Sequence, residues 1–281
     1  MTRIALAQVD CRLGEVAGNL KLATTCVQQA AEQGVDLVVF PELSLHGYSL
    51  GGLDDDVSLR LDDGRLAELS RHGPAVLIGL LEDGGLRTFN TAAYFENGAL
   101  THAQRKLYLP NYLGWEERKH AAPGQRLRAF DADGGIGRAA VLICNDAWQP
   151  VLPWLAVQDG AELLLVPTNS AAPASGPNAL DAVDYWADLL RFTARMHQTW
   201  VVFVNRVGEE PGIRFWGGSR VLDPHGTVVA EAAMWDEDLV VVDVDIDLAR
   251  RFRHRLPLVR EARLGLVRQE LDRLIAEGGD A

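Results

Sequence analysis

Cysteine is scarce in this chain of 281 residues: Cys11, Cys26 and Cys144 are its three thiols. They are too few and too scattered to frame a disulfide scaffold. None sits in a CxxC pair of the kind that builds a cysteine zinc site, so no metal is expected. A chain this long buries about 75% of its unfolded surface and needs no such staples. Reduced thiols make the cytoplasm the expected compartment. Long apolar runs are missing too. Runs such as residues 200–204 fall far short of the ~20 residues that a membrane span needs. The start, Met1-Thr2-Arg3-Ile4, passes straight into a strand-like stretch, so no signal peptide is expected.

Positive charge is in deficit, with 27 Lys and Arg against 39 Asp and Glu and a net charge of −12. Phosphate neutralisation needs a basic surface, so the balance argues against a nucleic-acid or anionic-membrane partner. It suits a protein that handles a small molecule. The one concentrated basic run, Arg250-Arg251-Phe252-Arg253-His254-Arg255, reads as a helix packing on acidic surface rather than a nucleic-acid contact. Asp54-Asp55-Asp56 lacks the spacing of a calcium loop and reads as solvated. Internal repeats, low-complexity tracts and Pro/Ser-rich linkers are absent.

What is present is a series of short apolar runs bounded by Gly, Pro, Asn and Asp. Residues 4–9, 37–40, 75–81, 88–95, 139–143, 163–166 and 200–204 read as strands. Several are apolar at nearly every position, as in strands covered on both faces. Helical periods fall over residues 19–33, with Asn19 as cap and Gly34 as stop, and over 184–198 and 258–277. Asp83-Gly84-Gly85 and Glu96-Asn97-Gly98 are hairpin turn signals. The mixture predicts one α/β domain over 1–281, with helices outside a mixed sheet or pair of sheets and a helical tail over 247–281. Two loop-rich stretches, 107–125 and 167–181, have the length of functional loops.

Three residues stand at strand ends. Cys144 follows the buried strand 139–143 and precedes Pro150 and Pro153, where a helix can begin. On such a turn, helix-terminal amides would lower a thiol pKa and bind a developing anion. The competing reading is a small buried core residue. Glu42 follows Leu37-Val38-Val39-Phe40-Pro41. A carboxylate at an apolar strand tip is partly desolvated, which favours general-base duty, although a solvated glutamate is the commoner fate. Lys106 closes the stretch 100–106, the third of three strands that those hairpin turns join, and its competing reading is a surface lysine. Together, a thiol nucleophile, a carboxylate base and an ammonium oxyanion donor suffice for acyl transfer from an amide-like carbon.

At this point the sequence resembles the nitrilase superfamily of carbon–nitrogen hydrolases. The resemblance rests on Ile4-Ala5-Leu6-Ala7-Gln8, Gly18-Asn19-Leu20, Val38-Val39-Phe40-Pro41-Glu42-Leu43 and Arg105-Lys106-Leu107-Tyr108-Leu109-Pro110-Asn111-Tyr112. It continues through Leu142-Ile143-Cys144-Asn145-Asp146 to Trp216-Gly217-Gly218-Ser219 and Asp223-Pro224-His225-Gly226. The order of these pieces, with 64 residues from Glu42 to Lys106 and 38 more to Cys144, is more specific than any one of them. The resemblance implies a four-layer αββα sandwich and a Glu–Lys–Cys triad. Carried over, Glu42 is general base, Cys144 nucleophile and Lys106 oxyanion stabiliser, joined by the Asn145 backbone N–H. Glu117 matches an accessory glutamate of the family, with Glu116 beside it as the rival.

The resemblance further implies no cofactor, a small-molecule amide or carbamoyl substrate, and a homodimer or higher homo-oligomer. Tyr48, Tyr112 and Trp148 are candidate pocket walls. Asn169 and Ser170 lie where family members contact substrate. Residues 106–123 look similar to the glutaminase domain of NAD synthetases, which carries Glu after its cysteine. Asn145 stands there instead, either to bond a polar substrate head or to hold the turn. The chain ends at Ala281 with no room for a synthetase domain, so a single hydrolase domain is expected. Cys11 and Cys26 read as structural. Amide hydrolysis leads the expectations, ahead of N-carbamoyl and then nitrile hydrolysis. Acyl transfer to an amine and a catalytically silent binding protein are the readings from other classes.

Overall fold

The computed structural model describes residues 1–111, 115–173 and 179–279. The first strands are β1 (Thr2–Gln8), β2 (Leu37–Val39), β3 (Ala75–Asp83), β4 (Thr88–Glu96) and β5 (Ala99–Arg105). Then come β6 (Phe130–Ala132), β7 (Gly137–Val141), β8 (Leu163–Thr168), β9 (Ala171–Pro173) and β10 (Trp200–Asn205). The last are β11 (Val207–Glu210), β12 (Ile213–Trp216), β13 (Arg220–Leu222), β14 (Val228–Glu231) and β15 (Asp238–Val244). The helices are α1 (Val16–Glu32), α2 (Gly64–Glu68), α3 (Val151–Gln158), α4 (Ala179–His197), α5 (Asp247–Arg255) and α6 (Leu264–Ala276).

Two six-stranded sheets form the centre. One runs β15-β1-β2-β3-β4-β5 and the other β14-β13-β10-β8-β7-β6. Their central strands, such as β1, β2, β3, β8 and β10, are apolar on both faces because both faces are covered. Between the sheets, Ile4, Leu6, Val39 and Leu77 meet Val141, Leu165, Val202 and Val221. Outside the first sheet, Ala5, Val38 and Ile78 pack on Leu20, Ala23 and Val27 of α1. Outside the second, Leu142, Leu164 and Phe203 pack on Ala156 of α3 and on Trp186 and Leu190 of α4. Helix, sheet, sheet, helix is the αββα sandwich that the resemblance implied, in a single domain.

The direction of the strands brings the chemistry together. β2 is parallel to β3, β3 antiparallel to β4, and β4 antiparallel to β5. The carboxyl ends of β2 and β5 therefore share one edge, and Glu42 and Lys106 follow them. In the second sheet β7, β8 and β10 run parallel, so the residues after them, including Cys144 and Asn169, share an edge too. The β4–β5 turn has Asn97 and Gly98 at φ +53° and +74°, the left-handed pair that two-residue hairpins favour.

Three expectations about helices change. α1 starts at Val16, and Asn19 is not its cap. One turn inside the helix, Asn19 bonds Arg12 N (2.9 Å), Arg12 O (2.7 Å) and Leu45 O (3.0 Å), tying down the neighbouring loops. The helix expected from Asp184 begins at Ala179. The expected helix over 258–277 is shorter: Arg260 and Glu261 N–H groups bond back to Pro257 O in a turn, and α6 starts at Leu264. β15, absent from the expectations, pairs with β1 along its whole length from Thr2↔Val244 to Gln8↔Asp238.

The basic run at 250–255 lies on α5, and two of its arginines bond groups of the neighbouring segments. Arg250 Nη2 bonds Glu162 Oε2 at 2.7 Å, and Arg253 donates to the Gln198 (3.0 Å) and Ala161 (2.8 Å) carbonyls. Asp54 and Asp55 are exposed, and Asp56 bonds Ser58. Cys11 and Cys26 are buried, and burial pushes both thiols up to about 11, as suits packing residues. No helix among the described residues is long and apolar enough to cross a membrane.

Candidate active site

Glu42 sits on a turn that is unusually tightly packed. Leu43, next to it, has φ +46°, a left-handed value rare for leucine. Gly79 of β3 passes directly beneath. A Cβ there would lie 2.4 Å from both Pro41 O and Leu43 N, so only glycine allows the approach. A second close approach follows Lys106: Gly124 N donates to Lys106 O at 2.7 Å, and a Cβ on Gly124 would lie 2.5 Å from Arg105 O.

Lys106 itself is fully buried between two carboxylates. Its Nζ lies 2.6 Å from Glu42 Oε1 and 2.7 Å from Glu117 Oε2. Burial alone would push the ammonium down, but Glu117 and Glu42 hold it well above the usual lysine value. Glu117 is raised, by burial first, with Lys106 pulling the other way. Glu116 points to solvent instead, paired with Lys119 at 2.7 Å, so the buried glutamate is Glu117.

Asn90 completes the cluster. Its Nδ2 donates to Glu42 Oε1 at 2.7 Å and to Glu117 Oε1 at 2.5 Å, bridging the two carboxylates from mid-β4. The sequence signal was slight: one buried Asn inside a strand of otherwise mostly apolar residues. Tyr48 Oη reaches Glu117 Oε2 at 3.4 Å, while its backbone N–H donates to Glu210 Oε1 at 2.9 Å. Glu210 in turn pairs with the buried guanidinium of Arg206.

Cys144 begins a 3₁₀ turn, Cys144–Trp148, at φ +46°. Strain at a reactive residue persists only where its surroundings hold it. Here Asp146 does so. Its Oδ1 accepts from Leu107 N (3.0 Å) and Tyr108 N (2.8 Å), and its Oδ2 from Ile143 N (3.2 Å). Burial pushes Asp146 up to about 7 against the pull of those donors. Asn145 Nδ2 also donates to Tyr108 O, at 3.0 Å. Both residues thus tie the cysteine turn to the segment just after Lys106.

The thiol corrects one expectation. Cys144 is held well above the ordinary cysteine value, by burial first and then by the charge of Glu42, with Lys106 and the Asn169 amide opposing. Burial and the Glu42 charge together outweigh the amide that reaches the sulfur. The Asn169 N–H also donates to Glu42 Oε2 at 2.9 Å, so it links the two sheets across the site.

A cavity of about 280 Å³ opens above the thiol, walled by Tyr48, Trp115, Trp148 and Trp186 with Asn145, Asn169 and Ser170. Trp148 stacks on Tyr185 at 4.4 Å and meets Trp186 edge-on at 5.5 Å. Ser170 Oγ accepts from the indole N–H groups of Trp186 and Trp216, both at 3.0 Å, and so locks the back wall. Tyr112 lies outside the described residues. Trp115 and Trp186 were not expected as walls; Trp186 falls within the helical period expected over 184–198.

Comparison with known proteins agrees with this geometry. Residues 3–254 match the carbon–nitrogen hydrolase family model. The chain belongs to that family and is a carbon–nitrogen hydrolase. It is 34% identical to the glutamine-dependent NAD(+) synthetase of Thermotoga maritima over 254 residues, covering 87% of this chain and 42% of that one. The chain therefore spans less than half the length of that synthetase. It is 26% identical to a nitrilase of Pyrococcus abyssi, covering 90% of this chain and 93% of the relative. The structure of an amidase from Nesterenkonia sp. superposes with a TM-score of 0.79 at 27% identity, covering 95% of each chain.

Proposed function

We propose that this chain hydrolyses the carbon–nitrogen bond of a small-molecule amide, releasing ammonia, through a thioester on Cys144. The observation that carries the reading is the buried Lys106 held between Glu42 and Glu117 beside the thiol at the cavity floor. Glu42 takes the proton from Cys144, and the sulfur attacks the amide carbon. Lys106 and the backbone N–H of Asn145 receive the oxyanion. As the tetrahedral species collapses, the C–N bond breaks and Glu42 returns the proton to the leaving amine. Water then attacks the thioester carbon. Glu42 takes a proton from that water, the C–S bond breaks, and the proton returns to sulfur as the acid departs.

Glu117 and Asn90 keep Lys106 and Glu42 in register. Tyr48, Trp148, Asn169 and Ser170 form the substrate's surroundings. Apolar side chains exposed on α4 and α6, among them Phe192, Met196, Leu271 and Ile275, support a homo-oligomer, which light scattering tests. The free thiols support a cytoplasmic setting. The decisive experiment is Cys144→Ala: turnover of amides is lost while the circular dichroism spectrum is kept. Retained amidase activity in that variant overturns the reading.

A further inference from the structure

The wall of the cavity carries information about the acyl group. Four aromatic side chains line it, Tyr48, Trp115, Trp148 and Trp186, and among the described residues no charged side chain does. Pro110, Trp115, Ala171 and Ala182 complete the described lining, and all four are uncharged. The cation nearest the thiol is Lys106, and two carboxylates already occupy it. An anionic substrate would thus lose water, find no counter-charge and face Glu42 and Glu117. Both effects disfavour it in a cavity of low dielectric.

The polar atoms on offer are of another kind. Asn169 is buried, lines the cavity, and its Oδ1 and Nδ2 meet no partner among the described residues. A neutral carboxamide has the acceptor and donor that this side chain lacks. The aromatic rings, meanwhile, reward a flat or branched apolar group.

From this juxtaposition of an uncharged aromatic wall with an unpartnered Asn169 amide, we infer that the site takes primary amides with uncharged, apolar acyl groups and rejects those bearing a carboxylate. The inference rests on the amidase reading above and narrows it. It separates this chain's substrate from glutamine, which the name of its 34% identical relative indicates for that protein.

The test is ammonia release from phenylacetamide and isobutyramide against L-glutamine and succinamate, at one pH and ionic strength. The neutral amides should exceed the carboxylate-bearing ones by roughly 10²-fold or more in kcat/KM. Glutamine or succinamate within about tenfold of the neutral amides overturns the inference and leaves the amidase reading standing. Turnover of none of the four overturns both. Trp148→Ala should also lower the phenylacetamide-to-isobutyramide ratio about tenfold, by the loss of one large stacked ring. An unchanged ratio in a folded variant removes the aromatic wall from the argument.

Discussion

The Lys106 ammonium lies 2.6 Å from Glu42 Oε1, and neither side chain has any exposure to solvent. An ion pair so placed owes its stability to pairing alone, because water cannot solvate what is left when one partner goes. Lys106→Met should strand Glu42 and Glu117 together in the interior. The expected cost is roughly 3–5 kcal/mol of stability. Activity should fall by about 10²–10³ or more with the loss of the oxyanion donor. Urea unfolding and single-turnover acylation measure the two losses separately. A stable, active methionine variant contradicts this role.

Glu42 affects the thiol in two opposed ways. Its charge is one of the causes holding Cys144 high, and its carboxylate is the proposed acceptor of the thiol proton. Glu42→Gln should therefore lower the thiol pKa and still cut turnover, by about 10²–10⁴. Alkylation by iodoacetamide as a function of pH reads the first effect, and steady-state turnover the second. A thiol pKa that rises in the variant shows that the carboxylate is not what holds the proton on sulfur.

Asn90 is a positioning residue, since it touches both carboxylates but not the thiol's cavity. Asn90→Ala should lower kcat about ten- to a hundredfold with KM nearly unchanged, because binding survives while Glu42 and Glu117 lose their shared donor. Equal rises in KM would place Asn90 in substrate binding instead. The variant's pH–rate profile should also shift, which a purely structural role would leave in place.

How much of this was legible in the sequence follows from where each residue sits. Glu42 and Cys144 each follow an apolar strand and Lys106 a strand set off by a hairpin turn, and strand ends are marked by composition and turn residues. Glu117 was legible only through family resemblance, and its separation from Glu116 needed burial to decide. Asn90 has no such mark, because a polar residue in mid-strand carries no spacing signature. Gly79 reads as any strand glycine until the Pro41–Leu43 backbone is seen crossing it. Asn19 looked like a cap because capping and loop-tying use the same side-chain chemistry. The thiol's direction was misread because its burial, and the Glu42 carboxylate brought beside it from the other sheet, come from packing distant in sequence.

His46, three residues beyond Leu43, gives the fold a dependence on acid. Its ring is fully buried, with Nδ1 accepting from Leu81 N–H at 3.1 Å and Nε2 donating to Val57 O at 2.8 Å. That pattern suits only the neutral imidazole, since a protonated Nδ1 would face a donor. Burial accordingly lowers the folded-state pKa from 6.5 to about 4. Above about pH 6.5 the ring is neutral folded or unfolded, and its contribution is fully present. As the pH falls below that, the unfolded chain takes up a proton that the folded one refuses, so stability declines until about pH 4. The loss from this residue is on the order of 3 kcal/mol. His102 and His197 are lowered in the same direction, mainly by burial, and steepen the decline. The urea midpoint should therefore drop across this window. The His46 ring resonances should stay unmoved down to about pH 5. A His46 resonance titrating near its ordinary midpoint of 6.5 would show that the ring is not held neutral by this pair of backbone bonds.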